Sequence, residues 1–150
     1  MNIALQKDIG SLLKGAFALI PNVVTAGGGG DGVEQDGAWI DRSGQLSGKL
    51  IISYSTTLTA AETLTLAANL QDASDSSGTG AADYGDAYAA AVVQTGVGTF
   101  TGTVEIDVDL SSADGYVRCQ VTPTLSAGAT DTVALAAVLV LGGSAEVPNV

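Results

Sequence analysis

Glu105, Asp107 and Asp109 occupy alternate positions of one short segment. An extended chain would set neighbouring carboxylates about 6 to 7 Å apart on one face. Two chemistries use such spacing. Glycoside hydrolysis needs two carboxyl groups in a cleft, one with a raised pKa. A calcium ion takes several hard carboxylate oxygens. Nothing in the flanking residues marks a cleft, and aromatics that could stack on a sugar are scarce. A solvated strand face is the plainer reading, with a weak calcium site and a hydrolytic pair as the alternatives. Asp72, Asp75, Asp83 and Asp86 surround a second acidic region, without the fixed spacing of an EF-hand loop, and read as solubilising charges.

The remaining chemistry is thin. The chain has no histidine, so no Ser-His-Asp arrangement can form, and one thiol without imidazoles makes a poor zinc set. Ser47 and Lys49 carry no recognisable nucleophile motif. Cys119 shares an alternating face with Val117 and Val121 and reads as a small buried hydrophobe. Being the only cysteine, it allows no intrachain disulfide. Gly27 to Gly30 lack the Lys-Ser/Thr ending of a phosphate loop and read as a hinge. No catalytic residue, metal or cofactor is assigned.

These side chains need a scaffold, and its pattern is clear. The chain has 150 residues, 46% of them hydrophobic, which suits one domain with a real core. Thr103 to Leu110 alternates, with Val104, Ile106, Val108 and Leu110 on one face and the three acids on the other. Ser47 to Leu58 and Thr63 to Leu70 read as two strands of a hairpin about a turn at Thr59 to Glu62. Asp72 to Gly85 reads as a long exposed loop, and Ala89 to Thr95 as a further strand. Asp114-Gly115 turns into a strand from Tyr116 to Val121, which Pro123 ends or marks as an edge. Thr132 to Leu141 is apolar on both faces, hence central or covered. About seven or eight strands at such spacings predict an all-β, antiparallel sandwich, jelly-roll-like or barrel domain.

The N-terminal residues differ. Leu5, Ile9, Leu12, Leu13 and Phe17 fall at helical spacing, weakened by Gly10 and Gly15. Two readings stand: a short helix capping the core, or an arm that packs on a neighbouring subunit. The resulting division is an arm over 1–26, a glycine hinge over 27–32, a β domain over 33–143 and a tail over 144–150. Trp39, the one tryptophan, is expected to anchor the core or an interface. With Leu5, Ile9, Leu12, Leu13 and Phe17 it makes the candidate interface set.

A net charge of −11 repels phosphate backbones and anionic membranes, which argues against nucleic-acid or membrane partners. No apolar run approaches the length of a membrane span, and Lys7, Asp8 and Lys14 interrupt any signal-peptide pattern.

Four phrases carry a resemblance: "DGAWIDR" from Asp36 to Arg42, "TLTAAETLTLAANLQDASD" from Thr57 to Asp75, "VEIDVDLSSADGYVRCQVTPTLSAGATDT" from Val104 to Thr132, and "AAVLVLGG" from Ala136 to Gly143. Over residues 33–143 the chain resembles capsid cement or decoration proteins from the head-gene region of tailed bacteriophages. The resemblance implies a virion protein on the outer capsid surface, made in the host cytoplasm. It would act without catalysis, as a homo-oligomer that clamps neighbouring major capsid subunits. The alternatives are a carbohydrate- or host-binding β-sandwich module on the particle, or a tail or neck component.

Overall fold

A computed structural model describes residues 9–126 and 130–144. Among them there is no α-helix. A 3-10 turn, Ile9–Leu12, precedes seven strands: β1 (Lys14–Thr25), β2 (Gln35–Asp36), β3 (Ile40–Asp41), β4 (Ser47–Ala73), β5 (Ala82–Asp109), β6 (Tyr116–Leu125) and β7 (Thr132–Gly142). All the pairings are antiparallel, and the fold is the β-sandwich or jelly-roll-like domain that the alternation predicts.

The architecture turns on β4. Its first part, Ser47 to Thr57, pairs with β7, while Leu64 to Ala73 pairs with β6. Along its other edge it pairs with β5 from Ser47–Asp109 to Asp72–Ala82. One sheet therefore folds over on itself. Layer one runs β1, β7, first half of β4, second half of β5. Layer two runs first half of β5, second half of β4, β6, with β2 and β3 beyond. Between them lie Leu50, Ile52, Leu58, Leu64, Leu66, Val117, Val121, Leu139 and Leu141, all fully buried. Tyr54 Oη donates to the Val93 carbonyl across the fold, and Tyr84 Oη to that of Asp109.

The predicted turn at Thr59 to Glu62 is instead a bend inside one 27-residue strand. Ala60 and Ala61 take φ of 51° and 61°, and pairing with β5 skips from Leu58 to Glu62. Left-handed conformation is unfavourable for alanine, and the neighbours hold it there. The buried Asp131 carboxylate accepts the Thr59 N–H at 3.0 Å and its hydroxyl at 2.7 Å, both on Oδ1. The Thr56 hydroxyl donates to the Thr132 carbonyl.

The helix expected over residues 3–17 is also corrected for its described part. Ile9 and Leu12 lie in the 3-10 turn, and from Lys14 the chain is β1. The register of β1 against β7 slips between Phe17 and Leu19 and again between Leu19 and Asn22. Around those bulges Phe17, Ile20 and Val23 are exposed. The glycine segment, expected as a swinging hinge, is tied to the body. Asp31 accepts the Gly27 and Leu125 N–H groups, and Gly32 N–H donates to the Pro123 carbonyl. That last bond explains how β6 tolerates Pro123. The proline's carbonyl and nitrogen share the side facing away from β4, so no ladder bond is lost.

The two layers approach closely at Gly37, whose N–H donates to the Cys119 carbonyl. A Cβ there would stand 2.9 Å from that oxygen and collide with the Ala18 carbonyl on β1. Both obstacles are backbone, so Gly37→Ala is expected to cost about 3 kcal/mol. Asp131→Ala would orphan the Thr59 N–H at the bend and is expected to cost about 2 to 4 kcal/mol. Asp131→Asn keeps the Oδ1 acceptor and should cost less. Urea unfolding midpoints check all three.

Candidate interaction surface

The outer faces near β6 on layer two and near β1 on layer one differ in character. On layer two the polar side chains satisfy one another. Arg118 bonds Gln71 through two donors and pairs with Asp36 at 3.1 Å. Gln120 donates to Glu34 and Asp36 and accepts from Asn69. Asn69 and Gln71 both donate to Asp83.

On layer one the outward side chains near β1 are apolar. Phe17 is 66% exposed, Ile20 73% and Val23 66%. Strand register sets Phe17 beside Val138 of β7, and Val138 beside Ile51 of β4. Leu13, Ile51 and Val140 line a shallow hollow at the adjoining end. β7 is central in its layer, as its two apolar faces predict, yet its outer face remains open at Val138. An open apolar face of this kind marks a contact surface.

The predicted interface residues divide. Ile9, Leu13 and Phe17 are exposed, and Leu12 is half-buried. Leu5 lies outside the described residues. Trp39 serves a different contact, beneath the 74–81 loop. The Arg118 guanidinium sits 4.8 Å from its ring centroid, and Gly78 approaches so closely that a Cβ would lie 2.8 Å from the indole Nε1. Sequence reasoning missed Ile20, Val23 and Val138. Their signal was a run of apolar residues on both faces of β1 and β7.

The acidic face is where the alternation puts it, with Glu105, Asp107 and Asp109 exposed. Lys49, across the ladder from Asp107, lies 2.8 Å from Asp107 and 3.2 Å from Glu105. Among the described residues no group of three or more His, Cys, Asp or Glu side chains is placed to hold a metal ion. The loop acids fix turns. Asp75 accepts the N–H groups of Ser77 and Thr79 and the Ser77 hydroxyl, and Asp72 accepts the Asp114 N–H. The expected long loop shrinks to residues 74–81, because β4 runs to Ala73 and β5 starts at Ala82. Burial pushes the Cys119 thiol up to about 12, so it is protonated near neutrality and a poor nucleophile.

No family model matches this chain, and no curated protein matches it. Solved structures do. The structure of infectious bursal disease virus Gx strain aligns with a TM-score of 0.50 at 11% identity, over 89% of this chain and 34% of that one. The VP2 subviral particle of the same virus aligns at 0.48 and 9% identity, over 91% and 34%. The Gt strain aligns at 0.47 and 14%, over 91% and 33%. At these identities the likeness is one of fold alone, a β domain like one in those virus structures. The chain spans about a third of the length of those relatives.

Three carboxylates are held below their ordinary value of 3.8 by donors: Asp41 by Ser43, Asp75 by Ser77 and Thr79, and Asp109 by Ser111. Each is more acidic folded than unfolded. The stability this contributes is present above the unfolded pKa and is lost as pH falls through the lower folded values. Urea midpoints should therefore fall between about pH 4 and about pH 2. The fall should be shallower in Asp75→Ala.

Proposed function

We propose that this chain is a non-enzymatic virion protein that decorates a bacteriophage capsid as a homo-oligomer and clamps neighbouring major capsid subunits. It docks through the outer face of β1 and β7. One observation carries the reading: Phe17, Ile20 and Val23 stand exposed along β1, with Phe17 beside Val138 of β7. Burying three such side chains contributes about 5 to 8 kcal/mol before the costs of association. Repeated over many subunit joints, a modest contact becomes a strong clamp. The capsid-protein fold, the resemblance to decoration proteins and the net charge of −11, which keeps the chain off packaged nucleic acid, all suit this position.

A carbohydrate-binding module would present exposed rings. Tyr84, Tyr88, Tyr116 and Trp39 are half-buried and Tyr54 is buried, so Phe17 is the exposed aromatic among the described residues.

Phe17→Asp and Ile20→Asp test the docking face. Each should weaken association with capsids of the parent virus by at least about tenfold, while the β-type circular dichroism spectrum stays unchanged. Val23→Ser is the milder third variant should either fail to fold. Undiminished association of the folded variants would overturn the reading.

A further inference from the structure

The open edges of this sheet are not equivalent. β1 is an edge strand carrying Pro21 and two register slips, and Gly37 of the opposite layer presses on it at Ala18. β2 and β3 are two residues each. The first half of β5 slips register against β4 three times between Leu64 and Leu70. Bulges, proline and short length are the ordinary devices that stop an edge from recruiting another strand. The second half of β5 has none of them. From Gly98 to Asp109 it pairs with β4 without a slip, and among the described residues β4 is its one partner. Its N–H and C=O groups on the other side face outward at alternate residues.

The charge pattern points the same way. No charged side chain lies between Asp86 and Glu105, the longest uncharged run in a chain of net charge −11. Within it, Thr99, Thr101 and Thr103 are exposed on one face, while Phe100 and Gly102 face inward. That alternation is symmetric about Thr101.

We propose that two copies of this chain pair antiparallel along residues 98–104 of β5, about a two-fold axis at Thr101. This deepens the homo-oligomeric part of the reading above by naming its surface, and it does not rest on capsid docking. A two-fold interface must be self-complementary. Here Thr101 meets Thr101 of the second copy, Thr99 meets Thr103, and Phe100 meets Gly102. Glu105 falls opposite Val97 and Asp107 opposite Thr95, so no two carboxylates are juxtaposed across the ladder. An extended segment of another protein could add to the same edge. The sequence symmetry, and a register that keeps the carboxylates of two highly acidic chains apart, favour a second copy. Pairing joins layer one of each copy into one sheet of eight strands, with β1 and its apolar residues at both ends.

Sedimentation of the purified full chain, without capsids, tests the pairing. The chain is expected to sediment as a dimer. Thr101→Lys sets two ammonium groups face to face on the axis and should weaken the dimer by about tenfold, with an unchanged circular dichroism spectrum. Thr101→Cys should give a disulfide-linked dimer on mild oxidation. Ser55→Cys, exposed on β4 one strand inward, should not. Cys119 is buried and will not compete. A chain that sediments as a monomer at high concentration overturns the proposal. So does a dimer that Thr101→Lys leaves intact and Thr101→Cys fails to cross-link. Should Thr101→Lys misfold, the cross-link decides. Because no capsid is present, failure here leaves the docking test of Phe17 and Ile20 standing.

Discussion

The rest of the structure depends on the bend in β4. A 27-residue strand that stayed straight would reach about 90 Å and could not enclose a core. Bent at Ala60 and Ala61, it gives one half to each layer and carries β5 with it. Two left-handed alanines cost about 1 to 2 kcal/mol each. Two hydrogen bonds to the Asp131 carboxylate offset a comparable amount. Among the described residues Asp131 Oδ2 is buried without a hydrogen-bond partner, while the Asp131 carbonyl accepts the Ala26 N–H and ties the clamp to the end of β1. Leu58 and Leu64, one on each side of the bend, are fully buried. The core thus begins where the strand turns.

What the sequence revealed and what it concealed divide by range of interaction. The alternation from Val104 to Leu110 is local, and it placed the acidic face correctly. The turn after Asp114-Gly115 and the strand that follows were legible for the same reason. The bend was not, because Thr59-Ala60-Ala61-Glu62 contains no glycine or proline. Whether such a stretch reverses the chain or only bends it is decided by β6, β7 and Asp131, which are distant in sequence. At the N-terminus, Leu5, Ile9, Leu12, Leu13 and Phe17 fall at helical spacing, but of these Ile9 and Leu12 lie in a 3-10 turn and Phe17 in β1, where pairing with β7, distant in sequence, sets the conformation. Leu12 is half-buried, and Trp39, expected as a core or interface anchor, is half-buried against Arg118 and Gly78, partners that could not be read from its neighbours.

The charged residues are mostly committed to structure. Lys49 balances two members of the acidic face, Arg118 joins β6 to Asp36 and Trp39, and Asp31, Asp72 and Asp75 cap turns. Arg42 donates to the carbonyls of Ala113, Asp114 and Gln45, and so fastens the segment after β3 to the turn before β6. Exposed apolar side chains remain near β1 at Phe17, Ile20 and Val23, and on β5 at Val92 and Val97.

The central claim is that this chain is a repeated component of a shell. Counting its copies in purified particles of the parent virus, by quantitative mass spectrometry against the major capsid protein, tests that claim most directly. A decoration protein predicts a copy number in simple proportion to the capsid subunits, in the hundreds per particle. A handful of copies, as a neck or fibre would give, or none, would contradict it.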